Sequence, residues 1–131
     1  MSDKQTIVRA FNGQFFEFVE DIIITLPEKR DLNDAKTTFE TFKRLNPSSI
    51  IKAWLIFVYY PYNNDILVGN IDFFVNKDYS NDLTNLSNAG DIMKTIDVLR
   101  EPIRNMSDEN KNHCIKYIQT LCKLSEIYSN M

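Results

Sequence analysis

The chain has 131 residues, 44% of them hydrophobic and 25% charged, with a formal net charge of −3. That balance excludes a disordered chain, which lacks the apolar residues needed to offset its ordering entropy, and the length suffices for a core built without disulfides or metal. The mild negative charge argues against a dedicated duplex-DNA binder, whose affinity comes from counterions displaced by a basic surface.

The first predicted helix runs from Lys4 to Thr25. Ile7, Phe11, Phe15, Phe18 and Ile22 recur at helical period and share one face, which Val8, Phe16 and Val19 widen. Glu17, Glu20 and Asp21 take the rest of the circumference, and Leu26-Pro27 ends the element. Asp31 is predicted to cap a second helix, with Asp34 in its first turn and Ala35, Phe39, Phe42 and Leu45 on its apolar face. Asn46 and Pro47 read as N-cap and first residue of a third helix. That helix carries Ile50, Ile51, Trp54, Leu55 and Val58, is apolar nearly all round, and is expected to be the central element, stopping before Pro61.

Residues Pro61 to Asn70 are predicted to be irregular, with Asn63, Asn64, Asp65 and Gly69 as turn formers. Ile66 to Val68 suits either a last helical turn or a short extended piece. Asn70 is expected to cap a short helix carrying Ile71, Phe73, Phe74 and Val75, followed by a polar surface stretch from Asn76 to Asn88. A fifth helix from Asn88 to Glu101 presents Ile92, Ile96 and Leu99, and Pro102 kinks or restarts it. Ser107 caps the last helix, whose core face holds Cys114, Ile118, Leu121 and Tyr128, flanked by Ile115 and Cys122. The expected fold is a single all-α domain over residues 1–131, a compact bundle or irregular array of five to six helices. Met1 to Thr6 carry no apolar segment after their charges, so no signal peptide is expected. The longest apolar run, Ala53 to Tyr60, is far short of the roughly 20 residues that span a bilayer.

No spacing in the chain concentrates chemistry. A di-iron carboxylate bundle needs two Glu-x-x-His pairs, and there is one histidine, His113. His113 and Cys114 are neighbours, so on a helix their side chains diverge by about 100° and neither chelate one zinc ion nor face each other as nucleophile and base. Cys114 and Cys122 lie about 12 Å apart along a helix, beyond disulfide reach, and read as free thiols in a reducing compartment, the cytoplasm. The serines form no nucleophile elbow. Asp72, Asp78 and Asp82 suit caps and loops better than an acid–base pair. No enzyme, cofactor or metal site is expected.

Two features remain. Nine Phe, six Tyr and one Trp are many for this length. Consecutive aromatics such as Phe15-Phe16, Tyr59-Tyr60 and Phe73-Phe74 cannot all face one core from a helix, so some cover neighbouring segments or meet a partner. The region Tyr59 to Tyr79 is the expected contact surface, with Tyr60, Tyr62, Phe73 and Tyr79 as anchors for another protein or a second copy of the chain. The alternative is a nucleic-acid-associated role for a C-terminal basic strip of Lys94, Arg100, Arg104, Lys111 and Lys116. Asp97, Glu101, Asp108 and Glu109 interleave with that strip, which suits a solvated mixed-charge face better than a phosphate-binding one.

Fourteen Asn and fifteen Ile against four Ala and three Gly are the usage of an AT-rich coding sequence. The stretch Gly69 to Leu83 (GNIDFFVNKDYSNDL), with Pro102-Ile103-Arg104-Asn105-Met106 and Lys116-Tyr117-Ile118-Gln119, resembles an uncharacterised family of small proteins encoded by large DNA viruses of algae and protists. The resemblance covers most of the chain and rests on no motif of known chemistry. It implies an origin in an infected host cytoplasm or a virion, and it transfers no functional residue.

Overall fold

A computed structural model describes residues 3–69, 95, 98–100 and 102–131. Its elements are α1 (Asp3–Thr25), α2 (Arg30–Leu45), α3 (Ser49–Trp54), a π-helical segment (Leu55–Tyr59), α4 (Tyr60–Leu67) and α5 (Asp108–Ser129). Thr95, residues 98–100 and residues 102–104 are also helical, and no strand occurs among the described residues. The fold is all-α. The expected helices over residues 70–75 and 88–101 fall largely outside the described residues.

Of the main stripe expected on α1, Phe11, Phe15, Phe18 and Ile22 are buried and Ile7 is half-buried against the core. The helix packs most extensively against α5 and then α2. Phe15 sits at the hub of an aromatic cluster, with ring centroids 4.7 Å from Phe39, 6.2 Å from Phe11 and 6.3 Å from Trp54. Trp54 in turn donates its indole N–H to Cys122 Sγ at 3.4 Å, tying α3 to α5 across the core. Phe16, one position on, is half-buried and lies under Lys43, whose Nζ is 5.3 Å from the ring centroid. The Phe15-Phe16 pair is therefore divided between the core and a covering role, as the helical period requires.

Two helix starts differ from expectation. α2 begins at Arg30 with Lys29 as its N-cap, so Asp31 lies within the first turn. The earlier start brings Leu32 onto the buried face with Ala35 and Phe39, while the Asp31 carboxylate still faces the positive helix end. Leu45 follows Phe39 by six residues, about 120° off that face, and is 76% exposed. α3 begins at Ser49 rather than Pro47. The Asn46 N–H closes α2 on the Phe42 carbonyl, and its Oδ1 accepts from the Ser48 N–H at 3.2 Å, an Asx turn rather than a helix cap.

The larger difference is at Pro61. The helix does not stop there: it widens into the π-helical segment, in which Tyr60 N–H donates to Leu55 O five residues back, and continues as α4 with Pro61 in its first turn. Widening the turn before a proline separates its ring from the carbonyl four residues earlier, the clash that otherwise breaks a helix. Ile66 and Leu67 are helical, and the chain turns at Val68 and Gly69, the latter at φ +84, where glycine avoids a Cβ clash. Ser107 caps α5 as expected, its Oγ accepting from Asn110 N–H at 3.3 Å. Cys114, Ile115, Ile118, Leu121, Cys122 and Tyr128 are all buried.

Candidate functional site

Continuation of the helix through Pro61 redistributes the four expected anchors. Val58, Tyr62 and Ile66 recur every four residues along the buried side of one continuous helix, and Tyr62 is 5% exposed. Tyr62 is therefore a core residue and not a surface anchor, because the segment expected to be a loop is helical. Tyr60 points the other way and is 62% exposed, its hydroxyl 3.1 Å from Ser129 Oγ at the end of α5. Phe73 and Tyr79 lie outside the described residues.

The same continuation exposes residues that sequence inspection did not single out. Ile56, Leu67 and Val68 are 51%, 58% and 81% exposed. Leu67 follows Tyr60 by seven residues, within about 20° of the same helix face. Asn63 lies between them on that face. With α5 it frames a groove of about 490 Å³, bounded by Asn63 and Leu67 on one side and Lys116, Gln119, Lys123 and Glu126 on the other. Gln119 fixes the two walls together by donating from Nε2 to the Ile66 carbonyl at 2.9 Å. Half of the eight large hydrophobic side chains exposed among the described residues belong to the segment from Ile56 to Val68. The available signal was the helical period of Tyr60, Asn63 and Leu67, which only registers once Pro61 is placed inside a helix.

The basic strip is not continuous among the described residues. Arg100 is 2% exposed, so its guanidinium is withdrawn from any phosphate outside. Arg104 and Lys116 are exposed and Lys111 is half-buried. On α5 the five-residue step from Lys111 to Lys116 turns them about 140° apart. Lys94 lies outside the described residues.

The groups with nucleophilic or acid–base potential are held in resting states. Burial pushes both the Cys114 and the Cys122 thiol up to about 11, so neither is a thiolate near neutrality. Cys114 directs its S–H to Met106 Sδ at 3.7 Å, whereas His113 is exposed and turned outward. The Tyr117 hydroxyl donates to Asp21 Oδ2 at 2.7 Å, with Glu17 Oε1 at 3.5 Å. That bond to the Asp21 carboxylate, with burial and the added charge of Glu17, raises the phenol well above its ordinary range. This trio ties α1 to α5 at the surface. Among the described residues no three His, Cys, Asp or Glu side chains converge as metal ligands, and no helix is long and apolar enough to cross a membrane.

One polar residue interrupts the buried side of α1. Asn12 lies between Val8 and Phe15 in the apolar stripe, is 5% exposed, and donates from Nδ2 to the Pro47 carbonyl at 2.9 Å. Its Oδ1 is buried with no hydrogen-bond partner, an arrangement that costs about 1–3 kcal/mol. A polar residue within an apolar periodicity was the signal for it. Searches against protein-family models, curated proteins and solved structures find no match to this chain.

Proposed function

We propose that this chain is a non-enzymatic interaction module of the cytoplasm or of a virion, and that it contacts a partner protein, or a second copy of itself, through the exposed apolar side chains of the segment from Ile56 to Val68, namely Ile56, Tyr60, Leu67 and Val68. The observation that carries the reading is the concentration of exposed apolar side chains on that short segment, beside a groove already braced by Gln119. Isolated exposed hydrophobics are ordinary, but several together on one element mark a contact surface. Tyr60 adds an amphipathic ring of the type enriched at interfaces. Supporting the non-enzymatic part, both thiols are kept protonated by burial, and the reduced thiols suit a reducing compartment.

The test is the double variant Leu67→Glu with Val68→Glu, followed by gel filtration of clarified extract from cells that make the protein. Both positions are exposed, so the melting temperature of the purified variant should match wild type within a few degrees. Wild type should elute well above its monomer mass of 15.4 kDa and the variant at that mass. Wild type eluting as a free monomer, or the variant eluting with wild type in a complex, refutes the reading.

A further inference from the structure

The groove between α4 and α5 has two unlike walls, and their chemistry narrows what can lie in it. On α4, Tyr60, Asn63 and Leu67 follow one another at a three-four spacing, and on α5 Lys116, Gln119, Lys123 and Glu126 do the same. Such rows run nearly parallel to a helix axis and are those along which helices pack on one another. The two helices run antiparallel beside the groove. At one end Gln119 Nε2 donates to the Ile66 and Leu67 carbonyls at 2.9 and 3.4 Å, and at the other the Tyr60 hydroxyl meets Ser129 Oγ. A trough braced at both ends is preorganised for a third helix laid along it.

The α4 edge is apolar and the α5 edge is basic. Leu67 and Val68 expose apolar surface on the first. Lys116 and Lys123 are both exposed and stand seven residues apart on the second, within about 20° of one line along the helix. The ion pair found among the described residues joins Lys36 to Glu20, so neither of these lysines is neutralised by one there. Glu126 is the one acid lining the groove, and it lies beyond Lys123 towards the Tyr60 end.

We propose that the α4–α5 groove receives an amphipathic helix of a partner protein. Its apolar stripe would meet Tyr60, Leu67 and Val68, and its flanking Asp or Glu residues, one heptad apart, would meet Lys116 and Lys123. The inference rests on the contact face proposed above and adds the chemistry of its partner. Exposed apolar side chains add nothing to holding a phosphate backbone, and two lysines beside a glutamate make a thin counter to one, which favours protein over nucleic acid. A second copy of the chain fits less well. The apolar stripes of α1, α2 and α5 are already buried in the core, and a second α4 brings a single acid, the half-buried Asp65, to answer two lysines.

The probe is a labelled helical peptide of about three heptads, with leucine at its a and d positions and glutamate at e and g. It is titrated with the purified full chain and followed by fluorescence anisotropy, beside a counterpart carrying lysine at e and g. The glutamate peptide should bind saturably, more weakly as salt rises, and roughly tenfold or more tighter than the lysine peptide. Lys116→Glu with Lys123→Glu should reverse that preference, and Lys116→Ser with Lys123→Ser should erase it. Both positions are exposed, so the melting curves of these variants should match wild type. Leu67→Glu should abolish binding of the glutamate peptide.

No saturable binding, or equal binding of the two peptides, overturns the proposal. An oligothymidylate that binds as tightly as the glutamate peptide also overturns it, by marking a nucleic-acid surface. A wild-type dimer in sedimentation that Leu67→Glu dissolves overturns it too, by making the occupant a second copy. If the peptide fails while Leu67→Glu with Val68→Glu still releases the chain from its complex in extract, the contact face stands and only the helical partner falls. If both fail, the contact face falls with it.

Discussion

Phe15 and Phe16 are consecutive, chemically identical residues to which the fold assigns opposite environments, and truncating each in turn tests the register of α1. Phe15 is fully buried and faces Phe11, Phe39 and Trp54. Phe15→Ala removes a whole ring from a close-packed site that cannot collapse around the gap, a change that costs roughly 3 to 5 kcal/mol. Phe16 is half-buried and covered by Lys43. Its truncation forfeits about half of the burial of a phenyl ring and a cation–π contact worth about 0.5 to 1 kcal/mol, together about 2 kcal/mol. At roughly 4 °C per kcal/mol for a domain of this size, Phe15→Ala should lower the melting temperature by about 12 to 20 °C and Phe16→Ala by about 8 °C. Thermal melts followed by far-ultraviolet circular dichroism measure both, with urea midpoints as an independent check. Equal losses, or a larger loss for Phe16→Ala, would refute the assigned register.

Pro61→Ala should change stability by less than about 1 kcal/mol, because the π-helical segment already accommodates the ring; a gain near the roughly 3 kcal/mol typical of removing a mid-helix proline would show that it does not. Neither cysteine should react with a thiol reagent at pH 8 until urea unfolds the chain, and rapid modification of the folded protein would contradict the burial of Cys114 and Cys122. Since both thiols are raised to about 11 in the folded chain, from an ordinary 9.0, the unfolded chain sheds these protons first as pH rises. Their contribution is complete below about pH 9 and declines towards pH 11. The drop in urea midpoint from pH 8 to pH 10 should therefore be smaller in a Cys114→Ala, Cys122→Ala variant than in wild type, and equal drops would exclude the thiols as the cause. Tyr117→Phe should cost about 1 kcal/mol in urea unfolding by removing the hydroxyl that joins Asp21 to α5; a neutral effect would mean that water replaces it at no cost.

Much of the fold was legible because burial follows period. Phe11, Phe15, Phe18 and Ile22, and on α5 Cys114, Ile118, Leu121 and Cys122, are buried where helical spacing placed them. What was not legible depended on two local competitions. Asn46 and Pro47 resemble a helix start, but the Asn46 side chain is used within the turn and the helix waits for Ser49. Pro61 carries a strong stop signal, yet a widened turn places Val58, Tyr62 and Ile66 on one buried stripe, and burying that stripe outweighs the loss of one backbone donor. The candidate contact face followed from that second competition. Of the expected anchors Tyr60 is exposed and Tyr62 is buried, and Leu67 lies in the piece that suited either a last helical turn or an extended segment and is helical. Asn12 went unremarked in the sequence although it falls at helical spacing within an apolar stripe, and its unpaired Oδ1 depends on the Pro47 carbonyl arriving from a turn 35 residues away.

The most direct test of the contact face is photo-crosslinking from single sites. A photoreactive phenylalanine analogue is placed at Leu67 in one preparation and at the exposed Thr38 of α2 in another, and both are irradiated in the cells that make the protein. Adducts of discrete mass from position 67, absent from position 38, are the result expected of a specific partner surface on α4. Equal adducts from the two positions, or none from position 67, would contradict the account.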